Sequence, residues 1–424
     1  MAHLSVADPP ALAAPAGLHV LSLQRALLGL VAFSGCIVFI EPSPYEITTL
    51  LALAVFMATG LRMRPIFLPL IALLILINLG YSISAVPLLD QSNVFFWFMT
   101  SWYMAVTAIF FALALSEDTA ARLDAIRRGY IAGAVIASLA GVAGYFHLVP
   151  GGADLLTLYG RARGTFKDPN VLGAFLILPA LFALQGVLID RFGKATRDAV
   201  LYALFSLAIL LSFSRAAWGQ LVLTSAFVIA LTFLTSRSVN QRSRVVLVTG
   251  LAVAALAMML AVLLSVDSIA SVFQQRASFD QSYDTGRFGR FGRHIHGAAM
   301  ALDLPLGIGP LQFNKFFPED THNSFLNAFM SGGWIAGLCY PALMFMTVIL
   351  GWRYALVRLP WQRAYLAVFA AFLGAFCESF IIDTDHWRHY FMLLGAMWGM
   401  FAAAQIELHR RRAMPAPVSI PPQG

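Results

Sequence analysis

Runs of apolar residues, most of them near the ~20 residues needed to cross about 30 Å of hydrocarbon, recur along this chain from end to end. Twelve segments qualify as candidate spans: 21–40, 47–60, 66–85, 94–115, 130–149, 171–189, 199–213, 216–235, 245–265, 324–350, 364–382 and 390–407. The second and seventh are short. Of the 424 residues, 59% are hydrophobic and 12% charged, against about 25% charged in an ordinary soluble domain. The expected fold is therefore an all-α integral membrane protein of about 12 transmembrane helices. Its natural units are a tail at 1–20, nine spans across 21–265 and a loop at 151–170 among them. A long loop at 266–323, three spans across 324–407 and a tail at 408–424 complete it. The tail from Met414, rich in proline, reads as disordered. The small-residue stretch Ala11–Gly17 precedes the first apolar run instead of following it, so that run reads as a retained span. No internal repeat is evident, which counts against the major transporter folds.

Charge gives the chain a direction. Alternating loops place Arg62, Arg64, Arg122, Arg127, Arg128, Arg191, Lys194, Arg197, Arg237, Arg242, Arg244, Arg353, Arg358, Arg363 and Arg410 to Arg412 on one side. By the positive-inside rule that side is cytoplasmic, with both termini there. Ser116 to Arg128, polar on one face, reads as a helix lying on that surface. Two short loops opposite, 41–46 and 87–93, carry no Lys or Arg. The other outer cations gather at Arg161, Arg163 and Lys167, at Arg215, from Arg276 to Lys315, and at Arg388. Cations concentrated against the topological rule imply an anionic ligand at the outer face. The net charge of +7 does not imply nucleic-acid binding, because cytoplasmic loop ends account for most of it. Cys36, Cys339 and Cys377 fall inside apolar runs and read as buried thiols.

Five constellations carry chemistry. Arg161-Ala-Arg-Gly-Thr-Phe-Lys-Asp-Pro-Asn170 sets three cations before a helix beginning near Val171, with Asn170 as its expected N-cap. A helix N-terminus already attracts anions. Ser212-Phe-Ser-Arg-Ala-Ala-Trp218 holds Arg215 between two spans with almost no loop, and a guanidinium grips phosphate with two parallel hydrogen bonds. Within Thr285 to His296, Arg287, Arg290 and Arg293 recur every third residue and share a drifting helical face. A helix is expected over Phe291–Leu302, before the Pro305–Pro310 break. His294 and His296 do not complete a metal-ligand set. In Thr321-His-Asn-Ser-Phe-Leu326, His322 has the chemistry of a general base, with Glu319 or Asp320 to orient it and Asn323 or Ser324 to cap the next helix. Finally, Asp383 to Tyr390 offers carboxylates, His386, His389, Trp387 and Tyr390. The aromatics suit either a membrane interface or sugar faces.

Taken in order, these passages resemble the O-antigen ligase and polymerase superfamily of bacterial membrane glycan enzymes. The likeness rests on Arg163-Gly-Thr-Phe-Lys-Asp-Pro-Asn-Val-Leu-Gly173, on Phe213-Ser-Arg-Ala-Ala-Trp218 and on the arginine helix leading to Pro305-Leu-Gly-Ile-Gly309. His322-Asn-Ser-Phe-Leu326 with Gly332-Gly333 completes it. The resemblance implies a GT-C-type glycosyltransferase architecture. The donor would be an undecaprenyl-diphosphate-linked glycan, and the acceptor lipid A-core or a growing chain, outside the bacterial cytoplasmic membrane. It implies no cofactor and no metal. It assigns essential roles to Arg215 and His322, with Arg161, Arg163, Lys167, Arg287, Arg290, Arg293 and Asn323 as candidate substrate contacts. Ligase-type transfer is favoured, with repeat-unit polymerisation close behind. The rival from another class is a lipid-linked glycan flippase, which needs charged residues along a path through mid-membrane.

Overall fold

The structure, a computed structural model, describes residues 15–277 and 286–413. Apart from one short hairpin, the described elements are helical. In chain order they begin with α1 (Pro15–Ser34), α2 (Pro44–Thr59), α3 (Leu68–Ala85), α4 (Ser92–Leu115), α5 (Thr119–Tyr145) and the single turn α6 (Ala153–Leu156). The hairpin β1 (Thr157–Leu158) and β2 (Arg161–Ala162) precedes α7 (Pro169–Ile189), α8 (Phe192–Leu211), α9 (Arg215–Thr235) and α10 (Val239–Leu264). Then come α11 (Asp267–Ala277), α12 (Arg290–Asp303), α13 (Ser324–Ala355), α14 (Gln362–Glu378) and α15 (Arg388–Ala413). Among the described residues, 8 helices are long and apolar enough to cross a membrane, and two shorter apolar helices cover His19–Ser34 and Pro44–Thr59. Helices suit that environment because they satisfy their own backbone groups where water is absent.

The hydrophobic centre is α7, 89% of whose apolar window is buried. Residues Leu172 to Gly186 are buried almost without interruption, so α7 has no polar face. Around it pack α8, α9 and α14, with α5 and α10 further out. By contrast just 6% of the α10 window is buried, which makes α10 a boundary helix. Close crossings depend on small residues, as expected where helices cannot rely on water to drive them together. At α1 against α5, a Cβ on Gly129 would fall on the Gly29 backbone. At α3 against α13, a Cβ on Gly80 would come within 2.7 Å of the Gly332 carbonyl oxygen.

Two expectations change here. The segment from Thr119 to Arg128 is not a separate surface helix; it is the first part of α5. Arg122 is 5% exposed and donates to the Ala114 carbonyl at the end of α4 and to Gln24 on α1, both at 2.5 Å. Those acceptors draw the polar face inward. Cys36 is buried, but Cys339 is half-buried and Cys377 is exposed. Met414 to Gly424, Thr285 and the side chain of Arg276 lie outside the described residues.

The middle of α13 is broken at Gly332 (φ −142°) and Gly333 (φ 63°). An unbroken helix would pair the Trp334 N–H with the Met330 carbonyl. Instead Trp334 donates to Pro305 at 2.9 Å, while Met330 accepts from Ile308 at 2.7 Å and Gly309 at 3.2 Å. The Pro305–Gly309 loop thus takes over the hydrogen bonds that the break releases. Gly307 (φ 72°) lies so close that a Cβ would meet the Met330 oxygen at 2.5 Å. The two glycine motifs are one interlocked element.

The basic loops also meet. Arg127, Lys194, Arg197, Arg237 and Arg363 line a cavity of about 740 Å³ at one end of the bundle. Arg242 and Arg358 line its neighbour of about 810 Å³. Arg127, Lys194, Arg197, Arg242 and Arg363 sit in the N-terminal parts of α5, α8, α10 and α14, and Arg237 and Arg358 just beyond the ends of α9 and α13. The constellations from Arg161, Arg215 and His322 sit at the other end.

Candidate active site

Arg215 owes its position to a break of three residues between α8 and α9. Phe213 adopts a left-handed conformation (φ 47°) and Ser214 caps α9, its hydroxyl accepting from the Ala217 N–H at 3.3 Å. Arg161, 9% exposed on β2, braces the break by donating to the Ser212 carbonyl at 2.7 Å. Its second bond, also 2.7 Å, goes to Asn170 Oδ1 at the start of α7. Asn170 therefore does not cap α7 as expected. Asp168 does, accepting from the Asn170 N–H at 2.6 Å, because Pro169 occupies the first helical position. Arg215 itself is the first residue of α9. A cation there opposes the helix dipole, and a bound anion would relieve that opposition.

His322 also stands in the left-handed region (φ 47°), a conformation costing on the order of 1–3 kcal/mol for a non-glycine residue. The turn is held from several directions. The carboxylate of Asp383 accepts from the Thr321 hydroxyl (2.8 Å), the His322 N–H (3.0 Å) and the Asn323 N–H (3.0 Å). A ring nitrogen of His294 on α12 bonds the Thr321 carbonyl at 2.8 Å. Asn323 caps α13, accepting from the Leu326 N–H at 3.0 Å, as the sequence suggests. His294 is thus committed to the turn, and His296 is exposed.

These pieces converge on a cavity of about 780 Å³. Arg161, Arg215, Arg290 and His322 line it, together with Asn170, Glu319, Gln220, Cys377 and Glu378. Arg290, like Arg215, is the first residue of its helix, so two positive helix ends and two guanidiniums face one space. Behind them Arg293, 2% exposed, donates to Glu319 at 2.7 Å. Glu319 lies 3.9 Å from His322 Nε2, beyond hydrogen-bond reach. Asp383, near His322 Nδ1 at 3.8 Å, fixes the backbone of the turn and leaves the ring directed by it. Burial and then the Arg290 charge hold the His322 pKa below its ordinary value, against the opposing pull of Glu319. Burial and Asp385 raise that of Asp383, although its hydrogen bonds from Thr321 and Asn323 favour the ionised form. On the far wall, the Gln220 amide of α9 is assigned with its nitrogen toward Glu378 Oε2 (2.9 Å) and its oxygen toward the Ala375 N–H (2.9 Å), the orientation that satisfies both groups.

The remaining sequence candidates lie outside this cavity. Arg163 donates to the backbone carbonyls of Leu155 (3.1 Å) and Asp154 (2.9 Å) and ties down its own loop. Lys167 pairs with Glu41 at 2.7 Å, and Arg388 with Glu46 at 2.5 Å, so a loop glutamate before α2 and one in its first turn neutralise two of the candidate cations. Arg287 stacks on Phe288 before α12 begins, and Arg293 turns inward, so the three arginines do not share one face. Asn323 is occupied with its cap and with the Phe380 carbonyl at 3.1 Å. Tyr390 is core, 1% exposed and stacked on Phe372. Sequence reasoning missed Glu378 and Gln220, whose spans look purely apolar, and read Asp383 only as part of a polar loop.

Residues 200–341 match the family model described as O-antigen ligase. The resemblance read from the motifs is supported over that stretch, which runs from α8 to the kinked part of α13 and contains Arg215, Arg290 and His322. Arg161, Glu378 and Asp383 fall outside it. No curated protein matches the chain.

Proposed function

We propose that this protein transfers a glycan from an undecaprenyl diphosphate carrier to a sugar hydroxyl at the outer, periplasmic face of the bacterial cytoplasmic membrane. Both termini lie in the cytoplasm in this reading, and a GT-C-type architecture of about twelve spans carries the site. The observation that carries it is the convergence of Arg215, Arg290 and His322 in one cavity, from three segments distant in sequence. The cavity mouth lies at helix ends, where a lipid-anchored diphosphate presents itself.

The chemistry follows from the residues. Arg215 and Arg290 hold the diphosphate and take up charge as its bond to the sugar's anomeric carbon breaks, the electron pair passing to the phosphate oxygen. The acceptor hydroxyl attacks that carbon as His322 takes its proton. Arg161 contributes to the cationic wall and braces Arg215. Arg293 holds Glu319. Asp383 is a positioning residue for the His322 turn. No step is routed through a metal or cofactor. Attachment to lipid A-core is favoured, and polymerisation of repeat units uses the same chemistry. A flippase reading is weakened because these charged groups gather at helix ends instead of along a mid-membrane path.

Purified protein in liposomes with a lipid-diphosphate oligosaccharide and an acceptor glycan tests the proposal. Formation of a joined product that depends on Arg215 and His322 is expected. Translocation of the donor without product would establish a transporter instead.

A further inference from the structure

We infer that a second cavity, of about 360 Å³ on the other side of the His322 turn, binds a neutral or amino-substituted hexopyranose. Its place as the acceptor subsite rests on the function proposed above; sugar binding itself does not. Glu319 and His322 line the cationic cavity, whereas their chain neighbours Asp320 and Thr321 line this one. A hydroxyl arriving from the second cavity therefore reaches His322 around a turn of one or two residues.

The two cavities have opposite chemistry. Asp320, Asp383 and Asp385 line the second, and no Lys or Arg does among the described residues. Such a wall repels a second phosphate and suits hydroxyls or an ammonium. Part of it is built in advance. Asp385 is 4% exposed and accepts from the Asn327 amide at 2.7 Å, and the Ser331 hydroxyl donates to the same amide's oxygen at 2.9 Å. A polar group whose neighbours fix its rotamer binds without first losing that freedom.

Aromatic surface supplies the other half. Trp97 also lines the cavity, its ring held against His386 at 4.2 Å, and Phe96 stands 67% exposed at the rim. A pyranose has an apolar C–H face for such rings and hydroxyls at its edge for amides and carboxylates. The volume lies within the usual ~300–1,000 Å³ of small-ligand sites.

The test uses the full chain in lipid nanodiscs and saturation-transfer NMR with three probes: cellobiose, the glucosamine disaccharide and digalacturonate. Signals are expected for the first two and not for the anionic third. Thr100→Trp, which fills the cavity from α4, should abolish them, and Phe96→Ala should weaken them several-fold should the first variant fail to fold. Arg215→Gln should leave them intact. Equal signals in the Thr100→Trp and Phe96→Ala proteins, equal binding of digalacturonate, or silence from all three probes would overturn the inference. In the liposome reaction, Thr100→Trp should raise the acceptor KM tenfold or more and leave the donor KM unchanged. Absence of any transfer by the unaltered protein sinks the proposed function, while the NMR result still decides the sugar site.

Discussion

Arg161, Arg163 and Arg215 look equivalent as charges in the sequence, yet their surroundings give them different tasks. Arg215→Lys keeps the charge but loses the planar fork, and the transfer rate should fall about 10²–10³-fold, the usual cost of a transition-state charge contact. Arg163→Ala should leave the rate within a few-fold, because Arg163 binds only loop carbonyls. Single-turnover assays at matched expression distinguish them. As the proposed general base His322 would act in its neutral form, so its depressed pKa should carry activity to more acid pH than the ordinary ~6.5 midpoint. Removing a neighbouring charge should move the acid limb of kcat/KM predictably. Glu319→Gln lowers the midpoint, since Glu319 raises the pKa; Arg290→Gln raises it, along with a rate loss. An acid limb that neither substitution displaces would mean another group is titrating.

At the level of elements, the α13 break and the His322 turn are positioned by partners far away in sequence. Asp383→Ala removes acceptors for one hydroxyl and two N–H groups, so the left-handed turn loses its clamp. Lower kcat with unchanged donor affinity is expected, because the arginines stand on other elements. Loss of donor binding in that variant would show that Asp383 supports the whole cavity. Gly333→Ala should be the more damaging change. Its positive φ is strained for any L-residue, and its Cβ would fall on the Pro305 carbonyl. Expulsion of the Pro305–Gly309 loop should appear as a clear drop in thermal unfolding temperature and lost transfer.

For the whole molecule, the ordered separation of charge predicts topology. Basic cavities lie at one end and the site at the other. With the native cysteines replaced, impermeant maleimide should label Lys315→Cys in intact cells and label Arg128→Cys only after lysis; both positions are exposed. The reverse pattern would put the site in the cytoplasm. Cys377 must be among those replaced, because it opens into the candidate cavity.

What the sequence determined by itself was whatever is written locally along the chain. Apolar runs give helices suited to a membrane, charge alternation predicts a direction, and Asn323 sits where a cap belongs. His322 and Arg215 were legible because they lie at helix boundaries, where a charged side chain beside an apolar run stands out. The tertiary structure alone decided which cations share a cavity. Three arginines at regular spacing were parted because their helix begins only at Arg290, sending Arg293 inward and leaving Arg287 behind. Lys167 and Arg388 were spent on Glu41 and Glu46, far off in sequence. Asp383 reached the His322 turn from 61 residues away. Such pairings depend on how helices cross, and crossing depends on which small residues let two backbones approach, a property of two segments together that neither displays alone.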